Sequence, residues 1–108
     1  MKPVSINFHG GDEDSGDVFM VETHAKAGHL LTQHIHDHSH LSYLASGKAR
    51  VLVDGEPTEL TGPSPFVVAA NKLHSVEALT DIVWLCLWDA KHGADQEAAL
   101  EKLTLPEA

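Results

Sequence analysis

The sequence predicts an all-β fold: one domain over residues 1–108, an antiparallel β-barrel or jelly roll with a short C-terminal helix. Three observations predict it. Glycine, proline and acidic residues punctuate the chain about every eight to twelve residues, with runs rich in Val, Ile, Phe, Thr and Trp between them. Asp54-Gly55 stands between two such runs, and a two-residue type I′ hairpin needs φ > 0 at both central positions, which Asp and Gly tolerate. Helical spacing occurs only in the tail. Many short strands with a helix at the end is the pattern of a small sandwich or barrel.

The elements follow in order. VSINF (4–8) is a candidate edge strand, followed by the loop HGGDEDSGD, and VFMVETH (18–24) is the next strand. HLLTQHIH (29–36) and LSYLA (41–45) are two strands separated by a polar turn, and ARVLVDGEPTEL contains the hairpin. GPSP (62–65) reads as a loop, because Pro63 and Pro65 remove ladder donors. FVVAA (66–70), HSVEAL (74–79) and DIVWLCLWD (81–89) complete the strands. In the last, Trp84, Cys86 and Trp88 share one face and Val83, Leu85 and Leu87 the other, so both sides of this strand must be covered. DQEAALEKL (95–103) carries good helix formers with Ala99, Leu100 and Leu103 on one face, and Pro106 follows it.

Composition narrows the function classes. Seven basic against sixteen acidic residues give a formal charge of −9, which excludes the Lys/Arg excess that nucleic acid and anionic membranes require. No run approaches the roughly 18 apolar residues of a membrane helix, and no secretory signal is present, so the expectation is a cytoplasmic protein. Cys86 is the single cysteine, which rules out a disulfide framework and a cysteine zinc motif.

The chemistry is concentrated in QHIHDHSH (33–40), which holds four of the nine histidines. On a regular strand, His34, His36, His38 and His40 would all point to one face as a comb. Asp37 and Ser39 favour a turn, however. With a turn there, His34 and His36 share a face, His40 rejoins it from the next strand, and His38 is left outside. Imidazole is a preferred ligand of Zn, Cu, Fe and Ni, so three or four aimed at one point make a metal site. His9, His24, His29 and His92 have no mutual spacing and read as surface or strand residues.

The spacing Gly28, five residues, His34-x-His36, three residues, His40, six residues, Gly47 resembles the first motif of the cupin superfamily. AANKLHSVEA (69–78) is similar in position, and in its histidine, to the second motif, and the resemblance spans about residues 18–89. It implies that His34, His36 and His74 are metal ligands and that His40 occupies the position of the family's glutamate. Ala69, Asn71 and Ala78 depart from the family's proline, glycine and asparagine, although Asn71 can adopt the positive φ that the turn before His74 requires.

The resemblance thus implies a divalent transition metal (Fe, Ni, Zn, Mn or Cu) held by His34, His36 and His74, with His40 either the fourth ligand or close beside a three-histidine site; the reading taken is the four-histidine set His34, His36, His40 and His74. Neutral imidazole in place of carboxylate leaves the centre at its full +2 charge, which polarises a bound carbonyl and acidifies bound water more strongly. The expected activity is dioxygenase-like, or related lyase or isomerase chemistry, on a small organic molecule. Tyr43, in the strand after His40, is the candidate proton donor. The alternative is a non-catalytic metal- or small-ligand-binding sensor. The resemblance also implies a homodimer.

Overall fold

The computed structural model describes residues 4–32 and 39–90. Among the described residues, nine strands form two antiparallel sheets that face each other. They are β1 (Val4–Gly10), β2 (Val18–Ala25), β3 (Leu30–Thr32), β4 (His40–Ser46), β5 (Lys48–Val53), β6 (Glu56–Thr61), β7 (Ser64–Val68), β8 (His74–Ala78) and β9 (Ile82–Asp89). One sheet has the order β1-β2-β9-β4-β7, the other β3-β8-β5-β6. The segments read as strands from the sequence form strands where described. The 95–103 helix, and the part of the third strand beyond Thr32, lie outside the described residues.

Period-2 alternation decides what the sheets enclose. Phe19, Val21, Thr23 and Ala25 of β2 are buried, as are Ile82, Trp84, Cys86 and Trp88 of β9, while the residues between them are not. The antiparallel register sets these side chains opposite each other: Phe19 with Trp88, Val21 with Cys86, Thr23 with Trp84. In the second sheet, Ala49 pairs with Ala78 and Val51 with Val76. The result is a barrel filled in layers. Trp84, the largest fully buried side chain, shares the core with three small residues, Ala25, Ala49 and Ala78. A large residue packs against small ones without leaving a void.

The turns match their sequences. Asp54 (φ 49) and Gly55 (φ 86) both have positive φ, as the type I′ hairpin between β5 and β6 requires. Gly47 (φ 90) joins β4 to β5 where a Cβ would lie 2.2 Å from the Asp81 carbonyl oxygen, so no larger residue fits. The GPSP segment needs a correction. Its second half is strand, because β7 begins at Ser64 and includes Pro65. β7 is the outermost strand of its sheet, and an edge strand tolerates a missing N–H. Pro57 sits on the other sheet's edge strand, β6, for the same reason.

Candidate metal centre

His40 opens β4 and His74 opens β8, so the two come from different sheets. Both are buried, with relative exposures of 5% and 1%. Their ring centroids are 5.9 Å apart at an interplanar angle of 58°. Two imidazoles that share an ion, each with a metal–nitrogen bond of about 2.0–2.1 Å, have centroids roughly 4.5–6.5 Å apart. The separation of the pair lies within that range. Trp88 meets His40 edge-on with centroids 5.9 Å apart, and Phe19 meets Trp88 at 5.4 Å, so an aromatic row braces the His40 ring from the β2 side.

His74 is oriented from behind. Its Nδ1 lies 3.2 Å from the backbone carbonyl oxygen of Lys72. A carbonyl only accepts, so Nδ1 carries the proton and Nε2 of the neutral ring keeps its lone pair. Metal-binding histidines are commonly held in this way. Burial depresses the His74 pKa below its ordinary 6.5, and the Lys72 carbonyl only partly offsets this. The side chain is thus kept in the neutral, ligating form. Asn71 has φ 62, the left-handed turn that its sequence position calls for.

His34 and His36 lie outside the described residues. Their segment runs from Thr32, which pairs with Ser75 beside His74, to Ser39, which precedes His40. The chain thus enters the segment next to one buried histidine and leaves it at the other. Among the described residues, no group of three or more His, Cys, Asp or Glu side chains is arranged to hold a metal ion.

The expectation for Tyr43 is corrected. His40, Ser42 and Leu44 are the buried positions of β4, and Tyr43 lies between them in the alternation. It pairs with Leu85 and Pro65 on the outer face. An odd offset of three residues from His40 reverses the face, so the phenol points away from the interior. The interior residue next to His40 on its own strand is Ser42, whose hydroxyl donates to Cys86 Sγ at 3.7 Å. Lys48 and Arg50 of β5 alternate with the buried Ala49 and Val51 and so lie on the outer face, with Arg50 bonded to Glu77 at 2.9 Å.

The other histidines do have a relationship that their spacing hides. His9 Nε2 bonds Glu22 Oε1 at 2.8 Å, and His24 Nε2 bonds Glu22 Oε2. These hydrogen bonds, the one from His24 foremost, hold the Glu22 carboxyl below its ordinary pKa. The three sit on the outer face of β1 and β2, where Asn7 pairs with Glu22 and Ser5 with His24. Only strand register joins positions 9 and 24, and no local signal in the sequence does so. His29 Nδ1 bonds the Lys26 carbonyl at 3.1 Å within its own turn.

Comparison with known proteins places this geometry in a family. The AraC-like ligand binding domain matches residues 16–100. Pectin degradation protein KdgF of Dickeya dadantii (strain 3937) is 32% identical over 68 residues. That match spans 62% of this chain and 62% of the relative, so it leaves more than a third of the relative's length uncovered. Among solved structures, KdgF from Halomonas sp. aligns with a TM-score of 0.70 at 22% identity, over 82% of this chain and 79% of that one. An RmlC-like cupin from Shewanella frigidimarina NCIMB 400 aligns with a TM-score of 0.71 at 22% identity, over 88% and 79%. Salicylate 1,2-dioxygenase from Pseudoaminobacter salicylatoxidans in complex with gentisate aligns at 0.71 and 20% identity, over 94% of this chain and 29% of that one. At these identities the structural likenesses establish the fold alone.

Proposed function

Because this chain belongs to the family of AraC-like ligand binding domains and has the cupin fold, we propose that it binds a small organic molecule at a divalent transition metal inside the barrel. His40 and His74 would hold the metal from the two sheets, and His34 and His36 would complete a four-histidine set. The observation that carries this reading is the buried His40–His74 pair, with the His74 Nδ1 proton committed to Lys72. When bound, the metal would supply Lewis acidity, and with open positions also a place for a chelating substrate. The chain's own part is to keep the imidazoles neutral by burial, to aim them through Trp88 and Lys72, and to exclude water with Val51, Val68 and Val76.

The reaction class is dioxygenase-like or lyase/isomerase chemistry on a small organic acid. Because KdgF of Dickeya dadantii is a pectin degradation protein, sugar acids released from pectin are the first compounds to test, with aromatic acids next. Elemental analysis of the purified protein, followed by oxygen-uptake measurements with each acid, tests the reading. Stoichiometric metal is expected. A protein that stays metal-free after exposure to Fe²⁺, Ni²⁺, Mn²⁺ and Zn²⁺ overturns it. Metal should dissociate as pH falls below about 6, where histidine ligands take up protons, and retention at pH 4 would refute histidine-only ligation.

A second reading is favoured by the family description: a non-catalytic ligand-binding or sensor domain. A closed tetrahedral four-histidine zinc site with no open position would support it. Under either reading the protein would be a cytoplasmic homodimer. Its single cysteine is a buried thiol, and the outer face of the five-stranded sheet sets Leu41 and Tyr43 of β4 beside Leu87 and Leu85 of β9.

A further inference from the structure

The Asp54-Gly55 turn does more than reverse the chain. It ends β5 at Val53, which pairs with His74, so the hairpin tip lies beside the loop that leads into β8. Three contacts tie the two together. The Asp54 N–H donates to the Leu73 carbonyl at 2.8 Å. The Leu73 N–H donates to Asp54 Oδ1 at 3.1 Å. Lys72 Nζ stands 3.3 Å from Asp54 Oδ2.

The second contact reaches the metal centre through a single rigid group. The Leu73 N–H and the Lys72 carbonyl belong to the same peptide unit, which is planar and trans, so the two point in opposite directions. Asp54 holds the N–H end, and the carbonyl end accepts from His74 Nδ1 at 3.2 Å. Without Asp54 this peptide, following left-handed Asn71 in an exposed loop, could rotate and take its carbonyl away from the ring. Hydrogen bonds in series also polarise one another, which strengthens the hold on the Nδ1 proton.

We propose that Asp54 is a positioning residue for His74, fixing its tautomer and ring direction through the Lys72–Leu73 peptide. The tautomer part stands on this geometry alone; the effect on metal affinity rests on the metal reading above. Turn chemistry does not explain the choice of residue, since Asn-Gly and Gly-Gly serve a type I′ turn as well. The carboxylate adds an acceptor for Leu73 and a counter-charge for Lys72.

The test uses two variants that both preserve the turn. Asp54→Gly removes the acceptor, and Asp54→Asn keeps a side-chain oxygen for Leu73. In the metal-free protein, nitrogen-15 NMR of the histidine rings should show His74 as the Nδ1–H tautomer in the wild type and in D54N, and as a mixture in D54G. Zinc titration should show affinity reduced about tenfold in D54G, the lower end of what indirect ligand partners contribute, and largely restored in D54N. An unchanged tautomer in D54G overturns the proposal, as does equal behaviour of the two variants. If the wild type binds no metal, the metal reading fails while a D54G tautomer shift still supports the role of Asp54. Should D54G not fold, hydrogen exchange in the wild type decides: the Leu73 amide is expected to be protected, and an unprotected amide overturns the relay.

Discussion

The two ends of the barrel interior are built from the same strands, yet they differ in kind. At one end Trp84, Leu44, Ala25, Ala49, Ala78 and Ile82 are all but fully buried, and their side chains carry a single polar atom, the Trp84 Nε1. At the other end the same strands deliver His40 and His74, braced by Trp88 and Phe19. Alternation holds from His40 to Leu44 on β4, ahead of the register shift at Leu44–Ser46, and from Ile82 to Trp88 on β9, so pattern does not distinguish the two ends. Side-chain chemistry does. Apolar atoms at the packed end contribute by leaving water, whereas the two buried imidazoles at the other end carry ring nitrogens, which the proposed function would use to hold a metal. The packed core and the proposed metal centre are thus separated by position along the same strands.

The largest effect expected from this division is on stability at the packed end. Trp84→Ala should destabilise by about 3–5 kcal/mol, the usual cost of emptying a buried aromatic site. Urea denaturation measures it, and the folded fraction should bind zinc with unchanged affinity. Weakened metal binding in that fraction would mean the ends are coupled. The converse substitution, His74→Gln, should lower metal affinity by about a hundredfold, roughly 2.7 kcal/mol, with a much smaller change in the urea midpoint of the metal-free protein. A midpoint shift as large as that of Trp84→Ala would make His74 a packing residue.

On the outer face, Val83 lies behind the packed end and Leu87 behind the histidine end of β9. A lysine at either position should convert the proposed dimer to monomer, read by light scattering. If only one does so, the ends differ outside the barrel as well as inside.

The smallest effect is the pH dependence of the metal-free protein. His74 has a folded pKa below 6.5, so as pH falls past that value the unfolded chain takes up its proton first. Stability therefore declines as pH falls from about 6.5 toward the folded pKa, and His74→Gln should abolish this decline. The packed end responds later. Hydrogen bonds from the Ala27 N–H and Lys26 hold the Asp81 carboxyl below its ordinary 3.8. Its contribution is complete above that value and is lost as pH falls through the folded pKa. Urea midpoints at pH 7.5, 5 and 3 would separate the two declines.

Much of this was legible in the residues. Strand positions followed from turn chemistry, because Gly, Asp and Asn at positive φ are local requirements, as Asp54, Gly55 and Asn71 show. The inward face of β9 was legible as one of two alternatives. Tyr43 lies three residues after His40 on the same strand, and that odd offset, which sets it on the opposite face, could be counted in the sequence once the strand is taken to begin at His40. Pro65 was read as a loop residue because the sequence does not reveal which strand will be an edge. The link between His9 and His24 through Glu22, and the reach of Asp54 to the peptide behind His74, join residues fifteen or more positions apart. No local pattern carries such links.

By itself the sequence determined the all-β class, the hairpin at Asp54-Gly55 and the histidine cluster at 34–40, because these depend on backbone preference and side-chain type at neighbouring positions, while His74 joined the candidate ligands only through the family resemblance. Only the tertiary structure decided that His40 and His74 meet in a buried pair, that Tyr43 faces outward and that Asp54 stands behind the Lys72 carbonyl. Those facts depend on which strands pair, in which register and across which sheets. Register is set by the sum of all the packing in the barrel, and no short stretch of the chain contains it.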